Sequence, residues 1–177
     1  MVPVIVHMLS QVLILAFSIF SSIKLMLLPE RVSVFTKFAA IVVLIVALWM
    51  VFRRDTYLPF LGYAAFPKSI IPNDFTPVNS NTEIQVPMEY PDGTRMIYWG
   101  ALANNGEGVP KDPKTAYGDY SNAGVATIKG AMVTLRFHCP SEYYVPMGRK
   151  LKRHIHYRLC CERTGLLGPV RTLWVKC

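Results

Sequence analysis

The chain has 177 residues and a formal net charge of +8, long enough for one domain of ordinary size and a smaller appendage. Its four cysteines (Cys139, Cys160, Cys161, Cys177) are too few and too irregular for a disulfide framework or a Cys-x-x-Cys zinc module, which leaves reduced structural thiols and assembly in the cytosol as the expectation. The charge is uneven. From Arg149 onward eight lysines and arginines face one acid, Glu162. Such an end suits anionic lipid headgroups, an acidic protein or nucleic acid, but no known nucleic-acid motif organises it, so nucleic acid is not the expected partner.

Residues 2–52 carry only Lys24, Glu30, Arg31 and Lys37 as charges. Val2 to Ile23 is an uncharged run of 22 residues; as a helix it spans about 33 Å, enough for a hydrocarbon core of roughly 30 Å. A second run, Val32 to Phe52, also spans if Lys37 snorkels toward the surface. Leu28-Pro29-Glu30-Arg31 between them predicts a tight polar turn, because proline stops the first helix. The pair reads as a transmembrane helical hairpin over residues 1–53, with Lys37, Trp49, Arg53 and Arg54 at the membrane boundary. The first run lacks a basic leader and a small-x-small site, so it is not expected to be a cleaved signal peptide.

From residue 54 the texture changes. Residues 54–82 read as an extended connector, apolar but punctuated by proline. Predicted strands follow at Glu83–Met88, Arg95–Leu102, Val125–Ile128, Ala131–His138, Lys150–Cys160 and Val170–Val175, separated by Gly, Pro and Asn turn signals. Asn104 to Tyr117 reads as a long loop, and no helix-length periodicity shows. The fold class expected is an N-terminal transmembrane α-helical hairpin followed by an all-β sandwich domain, residues 54–177.

Glu142 to Glu162 concentrates the chemistry. Alternation from Leu151 to Leu159 places Leu151, Arg153, Ile155, Tyr157 and Leu159 on one face and Lys152, His154, His156 and Arg158 on the other. Both imidazoles then sit side by side, within reach of one ion or one anionic partner. Arg149, Lys150, Lys152, Arg153 and Arg158 form the expected basic contact face. His154-x-His156 with Glu162 also approaches a cupin pattern, but the spacing to the glutamate is too long and no later histidine follows.

Val133 to Arg158, with a tyrosine shortly before Val-Pro and then a His-x-His strand, resembles the core of the intradiol ring-cleavage dioxygenases. The resemblance implies a β-sandwich and a non-haem ferric ion held by two tyrosines and two histidines: Tyr143, His154, His156, and Tyr117 or Tyr120 as the other tyrosine. Phenolate and imidazole suit such an ion. Leu151 stands where that family carries an arginine, so the resemblance implies metal binding without turnover. No cofactor is therefore expected to be required, with iron the one candidate.

A second resemblance runs along nearly 120 residues. Tyr57-Leu-Pro-Phe-Leu-Gly62, Phe66-Pro67, Tyr98-Trp99, Gly124-Val-Ala-Thr127, Tyr144-Val-Pro-Met-Gly148, His154-Ile-His-Tyr-Arg158 and Gly165-Leu-Leu-Gly168, in that order, are similar to a family of virion proteins of large icosahedral double-stranded DNA viruses, algal ones included. It implies a minor capsid protein. The expectation is a structural protein anchoring the capsid shell to the inner viral membrane, with the lipid membrane and the major and other minor capsid proteins as partners. The alternative is a membrane-tethered, dioxygenase-like iron protein.

Overall fold

In the computed structural model, the described residues are 2–27, 32–103, 106, 108–145, 148–160 and 165–177. The chain divides into two compact units, Met1–Gly62 and Tyr63–Cys177.

The first unit is a pair of apolar helices packed as a hairpin, α1 (Val2–Leu27) and α2 (Val34–Val51), followed by one turn, α3 (Arg54–Tyr57). Ser33 caps α2 by accepting the Thr36 N–H at 3.2 Å. Covered residues recur at helical spacing: Gln11, Leu15, Ser18 and Ser22 on α1, and Thr36, Ala40, Leu44 and Ala47 on α2. Small and hydroxylated side chains let the two backbones approach closely. The outward residues are large and apolar, among them Leu13, Phe17, Phe20, Phe38 and Ile45. Both helices are long and apolar enough to cross a membrane. The predicted turn at residues 28–31 lies outside the described residues.

The second unit is an antiparallel β-sheet domain. Its main sheet has the order β10-β8-β3-β4, with β3 at Arg95–Gly100, β4 at Ala123–Thr127, β8 at His154–Leu159 and β10 at Arg171–Trp174. A ribbon of β2 (Thr82–Pro87) and β5 (Met132–Phe137) supplies the second layer of the sandwich. Register fixes the two faces of the main sheet. Met96, Tyr98, Ala126, Ile155 and Leu159 share a core with Val133, Leu135 and Phe137 of the ribbon. The opposite face carries Trp99, His154 and His156, and the short hairpin of β6 (Tyr143–Val145) and β7 (Arg149–Leu151) contributes to a second cluster there. Ala64–Ala65 (β1) and Leu166–Leu167 (β9) form a third small pair.

Tyr98 and Gly124 are cross-strand partners, and a Cβ on Gly124 would fall 2.3 Å from the Tyr98 hydroxyl oxygen. That hydroxyl donates to the Arg136 carbonyl at 2.7 Å, which ties the main sheet to the ribbon.

The predicted strands form, with two departures. The strand expected from Lys150 breaks at Lys152 and Arg153, so β7 and β8 are separate elements. The predicted loop ending at Tyr117 contains a short helix, α4 (Pro113–Tyr117). The expectation of reduced thiols is overturned for two cysteines: Cys139 and Cys177 are joined by a disulfide across 38 residues. Closing a loop of that length stabilises by about 4 kcal/mol in the chain-entropy account, and such a bond belongs to an oxidising setting rather than to reduced cytosol. Cys160 is a buried free thiol, and Cys161 lies outside the described residues.

Candidate functional site

The site is assembled on the outer face of β8. Trp99 of β3 stands opposite His156, and Thr172 and Trp174 of β10 stand opposite His156 and His154. Two pieces fold over this face, each bringing a tyrosine.

Tyr143 opens β6, whose pairing with β7 sets it opposite Leu151. Tyr117 ends α4. That helix starts because the Asp112 carboxylate accepts the Thr115 N–H at 3.0 Å and Pro113 occupies the first turn, where its missing N–H costs nothing. It stops at Gly118, whose φ of 50° is open to glycine and whose added Cβ would meet Leu102 Cδ1 at 2.7 Å. The Leu102 N–H donates to the Ala116 carbonyl at 2.8 Å and holds the helix beside the end of β3.

The result is a compact triangle. Tyr117 Oη lies 3.0 Å from Tyr143 Oη, Tyr143 Oη lies 3.2 Å from His154 Nε2, and Tyr117 Oη lies 3.5 Å from the same nitrogen. His154 Nδ1–H donates to the Lys152 carbonyl at 2.6 Å. A carbonyl only accepts, so this bond fixes the proton on Nδ1 and turns the Nε2 lone pair toward the phenols. His156 completes the group, its ring centroid 4.7 Å from that of His154 and 6.1 Å from that of Tyr117. Its Nδ1 pairs with Thr172 Oγ1 at 3.2 Å.

Tyr117, Tyr143 and His154 are between 2% and 6% exposed. Burial, reinforced by the bond to Tyr143, pushes the Tyr117 phenol well above the ordinary tyrosine range, so it stands neutral unless a cation is beside it.

The donor set suits a metal ion. Ligands about 2 Å from a common ion and separated by angles of 90–120° lie roughly 2.8–3.5 Å from one another. The three measured separations fall in that interval. Among the described residues no three His, Cys, Asp or Glu side chains gather, so any ion here depends on the phenols.

Of the two candidates for the second tyrosine, Tyr117 joins the triangle. Tyr120 stacks on the outside of the Tyr117 ring, centroids 5.5 Å apart, and is 56% exposed. Its neighbours in sequence hold the signal for α4, because Asp112-Pro113 is a helix start. Glu162, the cupin candidate, lies outside the described residues.

The basic residues do not share one face. Arg149, Lys150, Lys152 and Arg153 are exposed, with Lys150 paired to Glu142 at 2.6 Å and Arg153 donating to the Cys177 carbonyl. Arg158, expected beside them, is buried and donates to the Gly168 carbonyl at 2.8 Å, because its strand position faces the small β1–β9 cluster rather than solvent. In the first unit, the Arg53 guanidinium sits 4.6 Å from the Trp49 ring centroid and forks onto the Asp55 carboxylate. Lys37 is half-buried and Arg54 exposed.

No protein-family model matches the chain, and no curated protein matches it.

Proposed function

We propose that the chain is a membrane-anchored structural protein of a large icosahedral double-stranded DNA virus, holding the capsid shell to the internal membrane. The observation that carries the membrane half is the hairpin. Its helices turn large apolar side chains outward and, Gln11, Leu15 and Leu44 aside, small or hydroxylated ones toward each other, the reverse of a helix pair in water. Trp49 with Arg53 at the end of α2 is the aromatic and cationic pairing expected among headgroups. The virion half is supported by the ordered similarity from Tyr57 to Gly168, and the exposed Arg149, Lys150 and Lys152 offer a basic surface to an acidic shell protein. Alkaline extraction of membranes carrying the full chain tests the anchor: it stays with the lipid, and release into the supernatant would end this reading.

A second reading is favoured by the convergence of Tyr117, Tyr143 and His154. In it the β domain holds a non-haem ferric ion through these three side chains and His156. Such an ion would supply Lewis acidity and neutralise the two phenolates. The protein's own part is to fix the His154 tautomer through the Lys152 carbonyl, to orient the His156 ring through Thr172 and to exclude water by burial. A closed set of four protein donors is the pattern of a structural ion, whereas catalysis needs an open position. Elemental analysis of the full chain purified in detergent tests this: iron with a visible tyrosinate-to-iron absorption supports it, and a colourless chain that takes up no ferric ion removes it.

A further inference from the structure

The two edges of the main sheet are not alike. On the β4 side the chain covers its own edge: Phe75 and Val125 exchange both backbone hydrogen bonds at 2.8 Å. On the β10 side no described residue does so. Register tells which groups are left there. The Val175 N–H donates to the Arg153 carbonyl at 3.2 Å, and the alternation of an antiparallel ladder then turns the N–H and C=O of Arg171, Leu173 and Val175 toward β8 and those of Thr172 and Trp174 outward. The other side of β8 agrees. Cys160 donates to the Arg95 carbonyl, so Arg158 and His156 face β3 while Tyr157 and Ile155 keep their groups for β10.

Proline and glycine, which blunt or break an open edge, are absent from Val170 to Val175, and Trp174 is 61% exposed. Where β10 meets the ribbon, the two layers leave a groove of about 350 Å³ lined by Val86, Met88, Tyr90, Tyr157, Arg171 and Leu173. The charge around it is basic. Arg171 and Lys176 on the edge and Lys152 just before β8 make no ion pair among the described residues, and Glu89 is the one acid lining the groove.

We propose that β10 is a strand-addition site for an extended acidic segment of a partner protein. The segment hydrogen-bonds to the outward groups of Thr172 and Trp174, sends apolar side chains into the groove or against the Trp174 ring, and sets carboxylates beside Arg171, Lys176 and Lys152. The same charges oppose a second copy of this chain, since like would meet like across the new strand pair. That the partner is a capsid shell protein rests on the function proposed above; that the edge takes an acidic strand does not.

The test uses the full chain in detergent micelles and a capped peptide of alternating glutamate and valine, with the lysine and valine counterpart as control. The readout is amide hydrogen exchange resolved to single residues. The glutamate peptide is expected to slow exchange at Thr172 and Trp174 by about tenfold or more, and the lysine peptide to leave both unchanged. Trp174→Pro removes an outward donor while sparing the ladder to β8, and Lys176→Glu reverses a charge on the edge. Each should weaken binding about tenfold while β3 and β5 keep their protection. A fully N-methylated glutamate peptide tests the same hydrogen bonds without altering the chain and should not bind. Free-chain exchange rates at Thr172 and Trp174 in millimolar glutamate peptide would overturn the proposal. So would equal protection by the lysine peptide, or undiminished binding of the N-methylated one. Protection without peptide that is lost on dilution would make the occupant a second copy and overturn it as well. Peptide protection in a chain that is absent from purified particles keeps the edge and removes the virion reading; cross-links to a shell protein in particles, with no peptide protection, do the reverse.

Discussion

Tyr117 Oη and Tyr143 Oη sit 3.0 Å apart although 26 residues separate them, one at the end of a five-residue helix and the other at the start of a three-residue strand. Both hydroxyls also face His154 Nε2. Tyr143→Phe should therefore destabilise the β domain by about 1–2 kcal/mol, the usual cost of stranding a buried partner. Tyr120→Phe, on the exposed outer ring, should change it little. Denaturant titration of the full chain in detergent measures both, and equal effects would show that the triangle is not the stabilising unit.

Gly124 faces the Tyr98 hydroxyl across the strand pair, and the Phe75 carbonyl oxygen also lies 2.7 Å from where a Cβ would stand. Neither neighbour can give way, one being backbone and the other bonded to the Arg136 carbonyl. Gly124→Ala should cost about 1–3 kcal/mol by overpacking. Combining it with Tyr98→Leu, which removes both the hydroxyl oxygen and the ring carbon Cζ 2.4 Å from that Cβ, should cost less than the sum of the two single changes in thermal unfolding; an additive loss would count against the contact.

The hairpin gives a contrast between two faces of one helix. Ala47 is 4% exposed and Val46 is 48% exposed. Ala47→Leu should force the helices apart and weaken the hairpin by about 1–3 kcal/mol, while Val46→Leu leaves it unchanged. Helical circular dichroism against temperature in detergent reads the difference. Indistinguishable curves would contradict the packing face assigned to α2.

Asp112 supplies the pH dependence. The Thr115 N–H and hydroxyl, at 3.0 and 2.8 Å, hold its carboxyl below the ordinary aspartate value of 3.8. A depressed folded value means stability that is present above 3.8 and is lost as pH falls through the lower folded value. Asp112→Ala should lower the unfolding midpoint of the β domain at pH 7, and the gap to the native chain should close as pH falls below 3.8 through the lower folded value. Asp112→Asn, which caps without titrating, should show no such closure. A gap independent of pH would show that the carboxylate does not act as the cap.

Much of this architecture is legible in the sequence. Uncharged runs mark the two helices, and alternation in HIHYRL correctly sets Ile155 and Leu159 in the core and both histidines on the other face. The remainder depends on contacts that no local pattern encodes. Helix α4 is too short for a period to show, yet it alone decides that Tyr117 rather than Tyr120 meets Tyr143. Cys139 and Cys177 come together because β5 and the C-terminal tail end near one another, which spacing cannot reveal. Arg158 reads as part of a basic surface because charge suggests solvent, but the Gly168 carbonyl gives its guanidinium a buried partner.

Cross-linking mass spectrometry on intact, purified particles tests the central claim most directly. The account predicts links from the exposed Lys150 and Lys152 of the β domain to a capsid shell protein, with the peptides of α1 and α2 recovered only after the lipid is extracted. Absence of the chain from purified particles, or recovery of its hairpin peptides without lipid extraction, would contradict it.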